Sequence, residues 1–224
     1  MLPTGWNIIR DFMEVLSTEG LQRAIYRGQA DSRWVLVPSV FRDQFSGIRN
    51  PHRLRDWKWR ASRFASPMPR DDVEWLVLAQ HYGLSTALLD WTTSPLVALF
   101  FACGEAPDAE ANGTVWWASR SSFADPFDTL LIDLFSEQRD QPILINAVGR
   151  NLRSTAQDSV LTLHTPQDFE NIVARKIFEV PSQHKAETIL ALEKLGFTSE
   201  RLHSDITELV ARFKREIEGR VLMP

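Results

Sequence analysis

Arg27 is the residue in this chain best equipped to hold an anion. It follows the apolar run Ala24-Ile25-Tyr26 and precedes Gly28. A planar guanidinium matches the oxygens of a phosphate or carboxylate, and a neighbouring glycine leaves room for a ligand to approach the backbone closely. The same arginine has a structural use, as the ion-pair partner of an acid such as Asp90. A second polar cluster comprises Gln80-His81-Tyr82-Gly83 and Leu89-Asp90-Trp91-Thr92-Thr93-Ser94. His81 offers an imidazole for proton transfer or for a plain structural hydrogen bond. Asp90 offers a carboxylate that serves either chemistry or the positioning of Arg27 and His81. The hydroxyls of Thr92, Thr93 and Ser94 can orient a ligand or cap a helix.

A third group of residues is basic. Between Arg42 and Arg70 there are eight Arg and Lys residues against two acids, Asp43 and Asp56. From Asp71 to Val148 the balance reverses, with twelve acids against Arg120 and Arg139. Within the basic stretch, Arg53, Arg55, Lys58 and Arg60 can neutralise phosphates while Trp57 and Trp59 stack on unpaired bases. A solvated amphipathic helix with its tryptophans turned toward the core has the same pattern.

Elements must position these groups. Apolar residues at 8, 9, 12, 13, 15 and 16 predict an opening amphipathic helix over Asn7–Ser17. Ala24–Gly28 reads as a short buried strand stopped by its glycine, and Trp34–Val40 as a second extended piece in which Pro38 limits pairing. Leu54–Phe64 reads as a helix. Asp71–His81 is a clearer one, with acids at its positive end and Gly83 closing it. Thr92-Thr93-Ser94-Pro95 is a helix start, and Leu96–Cys103 the buried helix that follows. Asn112-Gly113 predicts a turn before a strand over Thr114–Ala118. Fainter elements fall at Phe127–Phe135, Val160–His164 and Ile177–Val180. Two amphipathic helices, His184–Leu195 and Ser204–Ile217, close the chain.

The 44% hydrophobic content, with 8 Trp and 13 Phe, supplies a core for one α+β domain. The lone Cys103 excludes an internal disulfide and reads as a buried, inert thiol. Without a CxxC or a Cys/His cluster, no metal site is expected. No basic segment leads into an apolar one at the N-terminus, and the longest apolar run, Pro95–Cys103, is far short of the ~20 residues that cross a bilayer. A cytoplasmic protein with no membrane partner is expected.

The segments YRGQADSRWVLVPSVFR and EWLVLAQHYGLSTALLDWTTSPLVALFFAC resemble the FRG-domain family, named for its aromatic-Arg-Gly motif. STAQDSVLTLH resembles that family's Gln-x-Gly-x-Phe motif, and the closing helices resemble its C-terminal part. Ser85 and Ala87 stand where the family carries Pro and Arg, and Ser159 and Leu161 where it carries Gly and Phe. The resemblance divides the chain into an N-terminal helix (1–19), the FRG domain (20–215) and a tail (216–224).

The layout is also similar to ADP-ribosyltransferases of the Arg-Ser-Glu type. That similarity implies a split, mixed sheet with an N-terminal helix and a C-terminal helical pair. It implies NAD as substrate, and a toxin or anti-phage effector held by an inhibitory partner. The catalytic set would be Arg27, Thr93, Gln157 and Asp90; Tyr26, Gly28, Gln80, His81, Tyr82, Trp91, Thr92 and Ser94 would complete the NAD site. Arg53, Arg55, Trp57, Lys58, Trp59 and Arg60 would receive the acceptor, RNA by preference and protein second. Gln157 stands where the transferases carry a glutamate. An amide holds a hydroxyl but is no general base, so Asp158 or Asp90 would have to supply the carboxylate. The rivals are a non-catalytic nucleotide- or nucleic-acid-binding module using the same pocket, and an NAD glycohydrolase.

Overall fold

The computed structural model describes residues 3–19, 21, 23–42, 47–125, 132–146, 158–167 and 172–203. In chain order, α1 (Thr4–Thr18), β1 (Ala24–Gln29), α2 (Ser39–Arg42), α3 (Pro51–Ala61), α4 (Asp72–His81), β2 (Leu88–Thr92) and α5 (Pro95–Ala102) form the first half. β3 (Gly113–Ser119), β4 (Ile143–Asn146), β5 (Ser159–Leu163), β6 (Arg175–Val180), α6 (Lys185–Lys194) and α7 (Ser199–His203) follow.

Local chemistry sets most element ends. The Asn50 side chain caps α3 by accepting from Arg53 N–H at 2.9 Å, with Pro51 in the first turn, so the helix starts three residues before the apolar pattern predicts. Asp71 caps α4 in the same way, accepting from Glu74 N–H at 2.8 Å. Gly83, with φ +83°, takes the left-handed conformation after α4. At the start of α5, Ser94 occupies the cap position but makes no side-chain cap bond; the Thr92 hydroxyl instead accepts from Ser94 N–H at 3.0 Å. Residues 35–38 form no strand, and the extended piece expected over Trp34–Val40 gives way to α2.

Six strands form one sheet in the order β4-β5-β2-β1-β3-β6. Every strand pairing is antiparallel, where a mixed sheet is expected. Side chains alternate between the faces. On one face, Tyr26 and Val115 join Val97, Ala98 and Leu99 of α5, Ile9 and Phe12 of α1, and Leu192 of α6 in a single cluster. Beside it, Leu88, Leu161 and Leu163 pack with Leu54 of α3 and Leu76 of α4. The opposite face carries Ile25, Leu89, Trp91, Ala118 and Val160, covered by Leu36 and Phe123. The expected Ser204–Ile217 helix lies outside the described residues.

β1 runs through Gly28 to Gln29 rather than stopping at the glycine. The space left by the missing Cβ is taken: a methyl there would overlap the Ala98 carbonyl of α5, and one on Gly113 the Ala102 carbonyl. The space beside the missing Cβ of Gly28 is therefore filled by a helix and is not room for a ligand. Cys103, at the end of α5, is 3% exposed, and burial pushes its pKa up to about 12.

Two outcomes follow. Gly28→Ala forces α5 off β1 and costs about 1–3 kcal/mol or more, read as a lowered melting midpoint; an unchanged midpoint would return Gly28 to ligand access. Cys103 resists iodoacetamide at pH 8 in the folded protein and reacts after unfolding.

Candidate functional site

β1 and β2 touch at one residue pair, Tyr26 with Thr92, whereas β1 and β3 pair along six. Beyond Tyr26 the two strands diverge, and a cavity of about 190 Å³ opens in the gap. Six expected site residues line it: Tyr26, Arg27, Gly28, Asp90, Trp91 and Thr92. Val97 and Phe101 of α5 complete the wall. The sequence reading treats both only as core, because helical periodicity does not tell which strand gap a buried helix overlies. In the sequence Leu89–Ser94 stands out as a polar cluster, and nothing there marks Leu88–Thr92 as a strand.

Arg27 extends across the gap. Its Nη1 donates to the Asp90 carbonyl oxygen at 2.6 Å and lies 3.9 Å from an oxygen of the Asp90 carboxylate. Its Nε is buried and has no hydrogen-bond partner. The side chain is 21% exposed, and burial lowers the pKa of the guanidinium from arginine's ordinary value. The Asp90 charge opposes that shift, and the positive charge of Arg42, at the end of α2, adds to it. A desolvated cation with an unused donor, one partly exposed carboxylate and a second cation nearby is electrostatically suited to an anion. Arg42 marks only the edge of the basic stretch in the sequence; nothing in the spacing ties it to Arg27.

The neighbours of Arg27 are held in place. Gln80, at the end of α4, donates from Nε2 to Asp90 Oδ1 at 2.8 Å, and its Oε1 accepts from the Thr86 hydroxyl. Trp91 Nε1 donates to Thr162 Oγ1 at 2.9 Å, and that oxygen lies 2.7 Å from Nε2 of the fully buried His164. The chain fixes the indole plane from below the sheet. His164 also borders a larger cavity, about 610 Å³, with Arg49 and Glu137 in its wall, but this cavity contains none of the expected site residues.

The other expected residues are placed as follows. Thr93 N–H donates to the Asp158 carbonyl at 3.1 Å, which brings the start of β5 beside the start of α5. Asp158 has φ +48°, a left-handed conformation that aspartate tolerates better than most residues, one position before Ser159. Gln157 lies outside the described residues. Thr93, Ser94, His81 and Tyr82 do not line the cavity; the Tyr82 ring is exposed, with the His81 ring edge-on to it at 5.1 Å.

In α3 the two tryptophans face opposite ways. Trp57 donates from Nε1 to the Trp75 carbonyl at 3.2 Å, while Trp59 is 69% exposed. Trp57 is therefore a packing residue, not a base-stacking one. Lys58 pairs with Asp72 at 2.5 Å, and Arg53 Nη1 donates to the Gly47 carbonyl at 3.2 Å. None of the expected acceptor residues borders the Arg27 cavity.

Removing the Asp90 charge takes away the carboxylate that opposes the effect of Arg42 on Arg27. Asp90→Ala is expected to lower the melting midpoint, and Arg27→Met to relieve part of that loss. Because the Asp90 side chain is 62% exposed, solvent screening holds the coupling near about 0.5–1 kcal/mol, measured by a double-mutant cycle. Zero coupling removes the charge interaction from the account.

No curated protein and no solved structure matches the chain. A family model does: residues 22–111 match the FRG domain. That matched stretch contains β1, β2 and α5, and with them every described residue of the cavity wall.

Proposed function

We propose that the Arg27 cavity binds a phosphate-bearing nucleotide, NAD in the reading developed from the sequence, and that the chain transfers its ADP-ribose to an acceptor. One observation carries this reading: a half-buried guanidinium whose buried Nε makes no hydrogen bond, at the divergence of two strands. A volume near 190 Å³ is below the roughly 300–1,000 Å³ that encloses a whole ligand. The cavity therefore takes one end of the dinucleotide, and the rest lies along the open surface.

In this mechanism Arg27 neutralises the pyrophosphate, and Arg42 adds positive potential. The rings of Trp91, Tyr26 and Phe101 supply stacking surface for nicotinamide. The nicotinamide–ribose bond breaks, the base leaves with the electron pair, and positive charge develops on the sugar. Asp90 supplies the carboxylate that stabilises this charge and takes the proton of the attacking acceptor. Thr93, with Gln157, holds ribose hydroxyls. Nucleic acid is the preferred acceptor and protein the second. An activity of this kind in a toxin or anti-phage effector requires an inhibitory partner.

A second reading has its own support. Asp90 is the one carboxylate among the described residues of the cavity wall, and Gln80 already binds one of its oxygens. A carboxylate committed to structure leaves a nucleotide-binding module without catalysis.

Calorimetry with NAD, together with nicotinamide release in the presence of total RNA or protein, separates these readings. Arg27→Ala is expected to weaken NAD binding about ten- to a hundredfold, and Arg27→Lys to recover part of it while preserving the fold. Asp90→Asn retains binding and slows nicotinamide release by about 10²–10⁴-fold. Unchanged affinity in folded Arg27 variants rejects the site. Binding without release leaves the module, and release without a labelled macromolecule leaves hydrolysis.

A further inference from the structure

The basic stretch between Arg42 and Arg70 divides into cations with partners and cations without. Lys58 is paired with Asp72 and Arg70 with Glu74, both at 2.5 Å; Arg53 donates to the Gly47 carbonyl and Arg49 to the Val40 carbonyl. Arg42 faces Arg27. Arg55, Arg60 and Arg63 remain. All three are exposed and make no ion pair or side-chain hydrogen bond among the described residues. Positions 55 and 59 are four apart, on the side of α3 away from the buried Leu54 and Ala61, and Arg63 follows in the turn after the helix. Trp59 stands among these cations, and Phe64, just past the helix, is 81% exposed. Asp56 is the one acid between Arg49 and Arg70.

We infer that the outward side of α3 and the turn after it, built from Arg55, Trp59, Arg60, Arg63 and Phe64, is a docking surface for single-stranded nucleic acid. The charge is complementary to a polyanion: three guanidinium groups without protein partners stand inside a chain whose net charge is −4. The exposed rings decide between strands and duplexes. Phosphate contacts alone serve either, but a ring reaches the face of a base only where the base is unpaired. An acidic protein surface would satisfy the cations equally well and give the two rings nothing flat to cover. The apolar residues of α3 that could extend a protein-docking patch, Leu54, Trp57 and Ala61, face the core. Ribose and deoxyribose strands share this chemistry. The surface is distinct from the Arg27 cavity and does not depend on NAD chemistry; if both hold, the bound strand is the acceptor.

The test is anisotropy of labelled oligonucleotides of about 16 nucleotides, without NAD, titrated from about 50 to 200 mM salt. RNA, DNA and duplex forms of one sequence are compared, with poly-glutamate as the acidic-polypeptide arm. Wild type is expected to bind at least one single strand more tightly than the duplex. The comparison of RNA with DNA identifies the strand. Arg55→Gln/Arg60→Gln/Arg63→Gln is expected to lower the slope of log affinity against log salt by about 2, since each lost phosphate contact removes about 0.7. Trp59→Ala is expected to weaken binding about 5- to 150-fold with the slope unchanged. Trp57→Phe is expected to lower the melting midpoint and leave affinity alone. Melting curves of the surface variants should superimpose on wild type, because the replaced side chains are exposed. The inference is overturned if neither single strand binds at low salt, or if the charge variant and wild type give one titration curve. It is also overturned if duplex binds as tightly as single strand with Trp59→Ala silent, or if poly-glutamate competes for the site through Trp59.

Discussion

The backbone of α5 lies directly against the sheet beneath it, with no room for a side-chain atom between them at two positions. Gly28 of β1 and Gly113 of β3 lack the Cβ atoms that would collide with the Ala98 and Ala102 carbonyls. Register places Gly28 beside Val115, two residues along β3 from Gly113. The two glycines thus lie on one face and form a shallow seat for one helix. Everything at the cavity inherits its position from that seat. Val97 and Phe101 project over the gap between β1 and β2 because α5 lies low. Thr93 meets Asp158 because β2 runs directly into α5 at Pro95. A side chain at either glycine would lift the helix and widen the gap at once, so the fold and the cavity share one steric condition.

Set against this apolar contact is the electrostatics of the divergence. A guanidinium that is only 21% exposed needs partners, and Arg27 has a backbone carbonyl, a carboxylate at 3.9 Å and an Nε with nothing. Asp90 is held by Gln80 from α4, and Trp91 by Thr162 from β5. Each wall of the cavity is therefore tied to a different element. Two walls are preorganised in this way: rotating Asp90 or Trp91 breaks the hydrogen bond that ties it to α4 or to β5.

The helices on the sheet divide the surface labour. α1, α5 and α6 form one apolar cluster over β1, β3 and β6, while α3 and α4 cover β2, β4 and β5. The acids at the start of α4 neutralise Lys58 and Arg70, both within the basic stretch, and this pairing decides which cations remain available. Charge counted along the chain overstates what the surface presents, because half of the stretch is spent on neighbours and caps.

Much of the architecture follows from local rules visible in the amino-acid order. Asn50-Pro51, Asp71 and Gly83 mark helix ends through side-chain and backbone preferences that act within three or four residues. The aromatic-Arg-Gly strand and the Leu89–Ser94 segment stand out by type, and six of their residues meet at one cavity. What tertiary structure alone decided depends on contacts between distant segments. β4 is a short apolar run, Ile143–Asn146, indistinct until it pairs with β5 at the sheet edge. The described strands pair antiparallel because strand direction is set by how the chain returns, not by strand composition. Trp57 and Trp59, two residues apart in a helix, differ by about 200° in direction, and only the position of α4 determines which one is buried. Gly28 could serve a ligand or a helix until α5 lies across it. Arg27 meets Arg42 through space alone, since nothing in a linear sequence records the field of one charge upon another.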